Sequence, residues 1–308
     1  MLEGKDLGAF NIPEEIESYL KFIYTAQELH LIQVMGNRTL TKNTILDEMG
    51  DISPVEIEDA YSKAVLNKVI EGGQTKYVVA PIGLKINNLA TFHRELWEVI
   101  PQEPKKAIAG WHYNNFMSKK RGASLEVLLA NENTIVPYED AITFLKTHED
   151  FINVIPCDCK STNEGCDFDR NVCIDFRQGP NTPSDRGYGR RITLEEGMEI
   201  LKHTEKEGLI HTAEKHGLCN CCACCCYPIR ASNALGLKDR WPQIQYIIDL
   251  NTEKCIVCGK CEKRCQFGVF VKEGEKMKMD RTKCWGCGIC VGSCPAKALQ
   301  LKKPSSQC

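Results

Sequence analysis

The residues in this chain of 308 that are best suited to chemistry are its 19 cysteines, and none of them precedes Cys157. Residues 219–226 read CNCCACCC and place six thiols in eight positions. Thiolates serve as nucleophiles, disulfide partners or ligands for soft metals. The N-terminal sequence has no basic and apolar leader, and spaced groups of four cysteines occur, so the pattern favours metal ligation in a reducing cytoplasm over a disulfide framework.

Two cysteine runs near the C-terminal end share one spacing. Residues 255–265 read CIVCGKCEKRC and residues 284–294 read CWGCGICVGSC, so both have the pattern C-x2-C-x2-C-x3-C. Every cysteine of the first run has a counterpart 29 positions later, which makes the pair an internal repeat. Two zinc sites would also need eight thiols, but they would not explain the fourth cysteine after x3 in both halves.

Each run resembles the cysteine motif of bacterial 2[4Fe-4S] ferredoxins, in which the fourth cysteine binds the other cluster. The resemblance implies one-electron transfer through two clusters. It implies that the first cluster is bound by Cys255, Cys258, Cys261 and Cys294. The second cluster would be bound by Cys284, Cys287, Cys290 and Cys265. Gln266 departs from the family pattern, which has proline there as at Pro295, and this leaves the local turn of the first run open.

The segment around these runs fits the same interpretation. Residues 269–280, VFVKEGEKMKMD, are typical of a strand, a tight turn and a second strand. Residues 247–308 contain twelve Lys and Arg against six Asp and Glu, a formal charge of +6. These basic residues would partly neutralise two clusters bound by thiolates, whose potentials also depend on hydrogen bonds and solvent exposure.

Ten further cysteines lie within residues 157–226, and all ten are candidate metal ligands. The first four occur in PCDCKSTNEGCDFDRNVC, which shows neither helical nor strand periodicity and predicts an irregular cysteine-rich domain. The ten residues are Cys157, Cys159, Cys166, Cys173, Cys219, Cys221, Cys222, Cys224, Cys225 and Cys226. The arrangement is similar to a domain of ferredoxin-type proteins from anaerobic archaea and bacteria, a resemblance that implies no particular reaction.

The ten thiols exceed the needs of one cluster. A [4Fe-4S] cube has four iron corners, and adjacent residues of an extended chain point to opposite sides, so CNCCACCC is better shared between sites. Two cubes would leave two thiols to spare and bring the total to four clusters, with Cys308 as a tail residue. The alternatives are one cube with free or redox-active thiols, a non-cubane cluster with more than four protein ligands, or zinc.

A helix connects the two cysteine groups of this middle region. Thr193 and Glu196 form a capping-box pattern, and Gly208 is a suitable C-terminal stop. Three histidines near the second group are expected to be solvated: His203, His211 and His216. Three arginines in the preceding loop would either contact a cluster or an anionic partner, or lie in solvent: Arg186, Arg190 and Arg191.

The N-terminal half contains no cysteine and is predicted to be mainly helical. Apolar residues recur at helical spacing over residues 14–34, and residues 39–50 and 53–70 predict two helices that begin after Thr or Ser, followed by a strand. This order resembles a winged helix-turn-helix domain, which is often a DNA reader. Residues 38–100 carry seven basic and nine acidic residues, the wrong balance for phosphate contacts, so we expect protein docking rather than nucleic-acid binding.

Together, these patterns predict an α+β protein with four segments. They are a winged-helix-like docking domain (1–100), a helical connection (101–150), an irregular cysteine-rich iron–sulfur domain (151–246) and a ferredoxin-like two-cluster domain (247–308). We expect a cytoplasmic electron-transfer protein or subunit of an anaerobic oxidoreductase complex, without a membrane span. The alternatives are an oxidoreductase with a catalytic cluster in residues 157–226 and a redox-sensing transcription regulator. The sequence identifies no catalytic residue.

Overall fold

The structure, a computed structural model, describes residues 12–130, 133–238 and 240–303. Helices and sheets are mixed, as predicted, and the chain forms two compact units. The first comprises residues 1–118, 161–163 and 178–189, and the second comprises residues 119–160, 164–177 and 190–308. Cys308, predicted to be a tail residue, lies outside the described residues.

The first unit is mainly helical and contains one small antiparallel sheet of order β1-β3-β2. Its helices are α1 (Glu14–Glu17), α2 (Leu20–Ile23), α3 (Ala26–Met35), α4 (Lys42–Met49), α5 (Pro54–Ser62), α6 (Ile82–Phe92), α7 (Arg94–Glu98) and α8 (Gln102–Ser118). Its strands are β1 (Leu40–Thr41), β2 (Leu66–Glu71) and β3 (Gln74–Val79).

Two sequence predictions for this unit need correction. Residues 14–34 do not form one helix, because Thr25 begins α3 with a capping box in which it accepts from the Glu28 N–H at 3.1 Å. The predicted helix over residues 53–70 is too long. The observed helix ends at Ser62 with Lys63 as its C-cap, and the next residue, Ala64, has φ 55°, which directs the chain into β2.

Residues 178–189 join the core of the first unit instead of forming a solvated loop. Arg186 is only 5% exposed, and its guanidinium donates to the Leu66 carbonyl at 3.1 Å. The Asn181 amide bonds both the N–H and the carbonyl of Lys68, each at 2.8 Å. Both expectations for Arg186 were wrong, since it contacts neither solvent nor cysteines but satisfies buried carbonyls.

The second unit carries every described cysteine. Its helices are α9 (Leu125–Leu129), α10 (Tyr138–Lys146), α11 (Asp158–Asn163, whose last three residues belong to the first unit), α12 (Leu194–Glu207), α13 (Tyr227–Leu235), α14 (Lys260–Arg264) and α15 (Ile289–Gly292). Its strands are β4 (Thr134–Val136), β5 (Asn153–Ile155), β6 (Cys173–Asp175), β7 (Arg190–Arg191), β8 (Ile210–Glu214), β9 (Gly217–Cys221), β10 (Gln243–Ile244), β11 (Ile247–Leu250), β12 (Phe270–Glu273), β13 (Lys276–Met279) and β14 (Leu299–Lys302).

The cysteine-rich middle region is not irregular, contrary to the prediction. It builds a seven-stranded sheet of order β10-β4-β8-β9-β6-β5-β7, in which only the β10–β4 pair is parallel. The strands are two to five residues long, and cysteine or asparagine occupies buried positions where apolar residues normally alternate. Periodicity therefore could not reveal them. Helix α12, with the predicted Thr193–Glu196 capping box, packs with α10 over the apolar core of Leu145 and Leu201.

The C-terminal repeat extends beyond the cysteines to the secondary structure. A shift of 29 residues moves β11 onto β13 and β12 onto β14, and Lys260, the first residue of α14, onto Ile289, the first residue of α15. The predicted hairpin is present as β12–β13, and β11 pairs antiparallel with β14. Each two-stranded sheet therefore takes one strand from each half, so the two halves are interleaved.

Gly286 is the position where this interleaving is least tolerant of a side chain. Its φ is +64°, and a Cβ there would lie 2.0 Å from the Tyr246 carbonyl oxygen. We expect Gly286→Ala to cost more than about 2 kcal/mol, because both strain and a backbone clash result. Gly274→Ala, at φ +60° with nothing within 4 Å, supplies the control for strain alone. Anaerobic thermal denaturation compares them, and equal losses in the two variants would contradict the prediction.

Candidate metal centres

The four cysteines predicted for the first ferredoxin cluster surround one cavity. Its lining includes the apolar residues Leu250, Met277 and Leu299, together with Cys255, Cys258, Cys261 and Cys294. Cys294 comes from the second run and reaches this cavity because the halves are interleaved. The donor set is four thiols in an apolar recess, which fits the requirements of a [4Fe-4S] cube.

The other four cysteines of the repeat form a more buried group. Burial, together with the charges of Cys265 and Cys284, raises the pKa of the Cys287 thiol to about 12. Cys290 also lies close to Cys265, and it is only 6% exposed. Cys265 belongs to the first run in sequence but lies beside the cysteines of the second run, which is the position that the ferredoxin resemblance implies.

The ten middle cysteines separate into two groups in space. The six-thiol group consists of Cys157, Cys159, Cys173, Cys219, Cys221 and Cys226. The four-thiol group consists of Cys166, Cys222, Cys224 and Cys225. CNCCACCC contributes three cysteines to each group, so the run is shared between two groups of thiols.

Strand geometry assembles the six-thiol group. Cys219 and Cys221 lie on the same face of β9, because they are two residues apart. The β6–β9 register, with Ile174 opposite Leu218, brings Cys173 beside Cys219. Each thiol contacts two others, closing a ring in the order Cys157, Cys173, Cys219, Cys221, Cys226 and Cys159.

The electrostatics of this ring favour thiolate character at particular positions. Hydrogen bonds from Cys157 and then Cys219 lower the pKa of the Cys173 thiol to about 5. Cys221 accepts similar bonds from Cys219 and Cys226, and its pKa is also lowered, with a contact from the Thr212 hydroxyl at 3.6 Å. Such sulfurs are disposed to bind metal, since the thiolate is the ligating form.

Lys160 is a buried cation next to both thiol groups, and no pattern in the sequence indicated it. It is 1% exposed, and its ammonium donates to the carbonyls of Asp169 at 2.8 Å and Asn220 at 3.0 Å. Burial alone would lower its pKa, but the charges of Cys157, Cys173 and Cys222 outweigh that effect and raise it. The buried ammonium of Lys160 and those neighbouring sulfurs that are deprotonated therefore stabilise each other.

Asn220 supports the site from the opposite face of β9. Its side-chain oxygen accepts from the Thr204 hydroxyl at 3.1 Å and lies 2.7 Å from Nδ1 of His211. His211 is completely buried, so the expectation that it is solvated was wrong. His203, by contrast, is exposed, as expected. Burial and then the charge of Cys221 raise the pKa of Glu214, near the same group, to about 8.

Gln266 connects the ferredoxin repeat to the middle region. Its side-chain oxygen accepts from the Ala223 N–H at 2.7 Å, and its amide donates to the Gly208 carbonyl at 2.5 Å. Ala223 lies within CNCCACCC, and Gln266 follows the cluster cysteine Cys265. Gln266, which replaces the ferredoxin proline, therefore connects the two regions through the hydrogen bonds of its side chain.

An apolar cluster makes the same connection. Trp285, 2% exposed, packs with Cys221, Cys226 and Cys287. The Phe267 ring stacks on Trp285 with centroids 5.5 Å apart. Thiols of the six-thiol group and of the second ferredoxin group therefore share one continuous core.

Comparison with known proteins characterises the C-terminal segment. Residues 241–300 match the family model of the 4Fe-4S dicluster domain. The chain is 44% identical over 48 residues to a subunit of the ion-translocating oxidoreductase complex of Methanosarcina acetivorans, covering 16% of this chain and 18% of that protein. It is 41% identical over 54 residues to pyruvate synthase subunit PorD of Methanothermobacter marburgensis, covering 18% and 63%. It is 34% identical over 106 residues to indolepyruvate oxidoreductase subunit IorA of Thermococcus kodakarensis, covering 34% and 14%.

These relatives resemble the chain in part only, since it spans 18%, 14% and 63% of the three proteins. No solved structure matches it significantly. The dicluster match and the many further cysteines of the chain support several [4Fe-4S] clusters, in agreement with the sequence prediction.

Removal of the Gln266 side chain tests the tie to CNCCACCC. We expect Gln266→Ala to cost about 1–3 kcal/mol, because the Ala223 N–H and the Gly208 carbonyl lose their partner. Hydrogen exchange at the Ala223 amide should accelerate in the anaerobically purified variant. Gln300→Ala, at an exposed position of β14, is the matched control. Unchanged protection at Ala223 would show that the tie is unimportant.

Proposed function

We propose that this chain relays single electrons through [4Fe-4S] clusters as an electron carrier or as a subunit of a larger oxidoreductase. The observation that carries the proposal is the continuity of the thiol groups within one compact unit. The two ferredoxin-type groups share one apolar core, and the Trp285 core joins the second of them to the six-thiol group. The relatives support it, because they are named as oxidoreductase or pyruvate synthase subunits.

The two clusters of the repeat take the ligands that the resemblance implies. Cys255, Cys258, Cys261 and Cys294 bind the first, and the cavity that they line supports this assignment. Cys284, Cys287, Cys290 and Cys265 bind the second, as the proximity of Cys265 to Cys287 supports. Each cluster supplies reversible one-electron chemistry. The chain's own residues orient the sulfurs and exclude water.

The six-thiol group is the place for a further cluster. It offers two thiols more than a cube requires, and Lys160 lies beside it to offset cluster charge. Cys173 and Cys226 are 5% and 4% exposed, so solvent and substrate have little access to these sulfurs. Such burial favours electron relay over the alternative of a catalytic cluster that binds substrate.

The solvent exposure of the cysteines indicates the order in which electrons would pass through the clusters. Cys258 is exposed and Ile256 is 65% exposed, so the first cluster would lie nearest to an external partner. The second group is covered by Trp285 and lies toward the six-thiol group. Electrons would therefore pass between the partner and the buried group by way of both ferredoxin clusters.

The first unit resembles a winged helix-turn-helix domain in its order of helices and strands, and we propose that it docks protein rather than DNA. The helix in the position of a recognition helix, α5, carries carboxylates that already pair with the nearby lysines. Glu58 lies 3.4 Å from Lys68, and Asp59 lies 2.7 Å from Lys63. These pairs offset the positive charge of the lysines, and DNA affinity requires net positive charge toward the phosphates. No helix of the described chain is long and apolar enough to cross a bilayer.

Iron and acid-labile sulfide analysis of the anaerobically purified chain tests the relay. We expect at least about eight iron atoms and eight sulfides from the repeat, and more if the six-thiol group holds a cluster. After reduction, EPR should show interacting cluster signals, and Cys290→Ser should remove one of them while Cys308→Ser preserves all. Fewer than about eight iron atoms per wild-type chain would refute the proposal.

The charge of Lys160 provides a second test. Lys160→Met should lower the midpoint potential of a neighbouring cluster by on the order of 50 mV, because a nearby positive charge stabilises the reduced form. An EPR-monitored redox titration measures it on samples with matched iron content. Lys202→Met, whose side chain is 67% exposed on α12, is the control. If every potential were the same in both variants, Lys160 would have no electrostatic role.

A further inference from the structure

We propose that the four-thiol group binds one tetrahedral metal ion, Zn²⁺ or Fe²⁺, and not a [4Fe-4S] cube. Its ligands are Cys166, Cys222, Cys224 and Cys225. This proposal goes beyond the relay, because a single structural ion need not exchange electrons. It assigns these four sulfurs a different chemistry from the other cysteines of the chain.

The distances between sulfurs carry the inference. The Cys166 sulfur lies 3.7 Å from that of Cys222 and 3.6 Å from that of Cys225, and all four sulfurs lie within 4.8 Å of one another. A tetrahedron with metal–sulfur bonds of about 2.3 Å has sulfur–sulfur edges of about 3.8 Å. The thiolates of a cube bind four different irons at separate corners and must lie farther apart.

The ferredoxin repeat provides a comparison within the same chain. Among the described residues, the four-thiol group is the one set of potential ligands that is this compact. The eight cysteines of the repeat, which match a dicluster domain, are spread more widely. The four sulfurs are therefore arranged for a single ion where the dicluster sulfurs are arranged for clusters.

The backbone explains how so compact a set forms. The Cys226 N–H donates to the Cys222 carbonyl at 3.2 Å, and the resulting turn brings three cysteines of CNCCACCC together. Cys166 approaches from a separate loop, and the preceding residue, Gly165, allows close contact: a Cβ there would lie 3.3 Å from the Cys225 sulfur. Little space is left for inorganic sulfide between these sulfurs.

The ion would have a structural role. Cys222 and Cys225 are 1% and 0% exposed, and four protein ligands complete a tetrahedral shell, as in structural zinc sites. The bound ion would link the loop of residues 164–172 to the turn after β9 through its cysteine ligands. That loop precedes Cys173, and the turn precedes Cys226, so the ion would fix the spacing of two members of the six-thiol group.

Metal and sulfide analysis of the full chain tests the proposal. The anaerobically purified protein should contain one zinc per chain, or one iron in excess of sulfide. The double variant Cys166→Ser and Cys224→Ser should lose that one ion and no sulfide. Ala223→Ser, in the same turn, should keep it. Loss of four iron atoms with four sulfides, or no loss of any metal, would overturn the proposal.

If the double variant does not fold, X-ray absorption spectroscopy of the wild-type protein tests whether the four-thiol group binds a single ion. For zinc, the extended fine structure above the zinc edge should show four sulfur neighbours at about 2.3 Å and no metal neighbour. For iron, Mössbauer spectroscopy should show one mononuclear ferrous or ferric thiolate site beside the clusters. A wild-type protein without zinc, in which all iron is matched by sulfide, would refute the single ion irrespective of whether the relay proposal holds.

Discussion

The exchange of strands between the two halves of the C-terminal repeat is the constraint on which the metal centres depend. Because β11 pairs with β14 and β12 with β13, neither half completes a sheet alone. The same exchange carries Cys265 and Cys294 to the opposite group, so each set of four thiols requires both halves. Folding of the repeat and assembly of its two groups of four thiols are therefore one event, in contrast to a pair of independent modules.

The second unit must also accommodate many sulfurs in its interior. Burying several thiolates close together costs free energy, because their negative charges are desolvated and repel one another. Binding to a metal, or a buried cation nearby, offsets that cost. Lys160 shows the principle at one point, since its ammonium would itself be unfavourable at 1% exposure without negative sulfurs nearby. The charge of Lys160 and the negative charge of nearby sulfurs therefore stabilise each other, in addition to the bonds from Lys160 to the Asp169 and Asn220 carbonyls.

Sequence reasoning succeeded where residue type and spacing determine the chemistry. The two runs of the repeat, the hairpin between them and the capped helix α12 all follow from local pattern. It failed where tertiary contacts override local pattern. The strands of the middle sheet are too short and too polar for a periodic signal. Arg186 lies in a loop-like sequence, yet it is buried and satisfies backbone carbonyls. His211 is buried and bonds to Asn220. Lys160 had no sequence signal, and the departure of Gln266 from the ferredoxin pattern did not reveal its role, because the partners of both residues are distant in the chain.

The division of CNCCACCC follows from a change of backbone geometry within the run. While the chain is extended in β9, alternate residues share a face, and Cys219 and Cys221 both join the six-thiol group. After Cys221 the chain turns, and Cys222, Cys224 and Cys225 converge on Cys166 instead. Cys226 then caps the start of α13, where it returns to the ring beside Cys159. Six closely spaced thiols could not all bind one cube, but a strand, a turn and a helix start in succession divide them between two groups of thiols of different size.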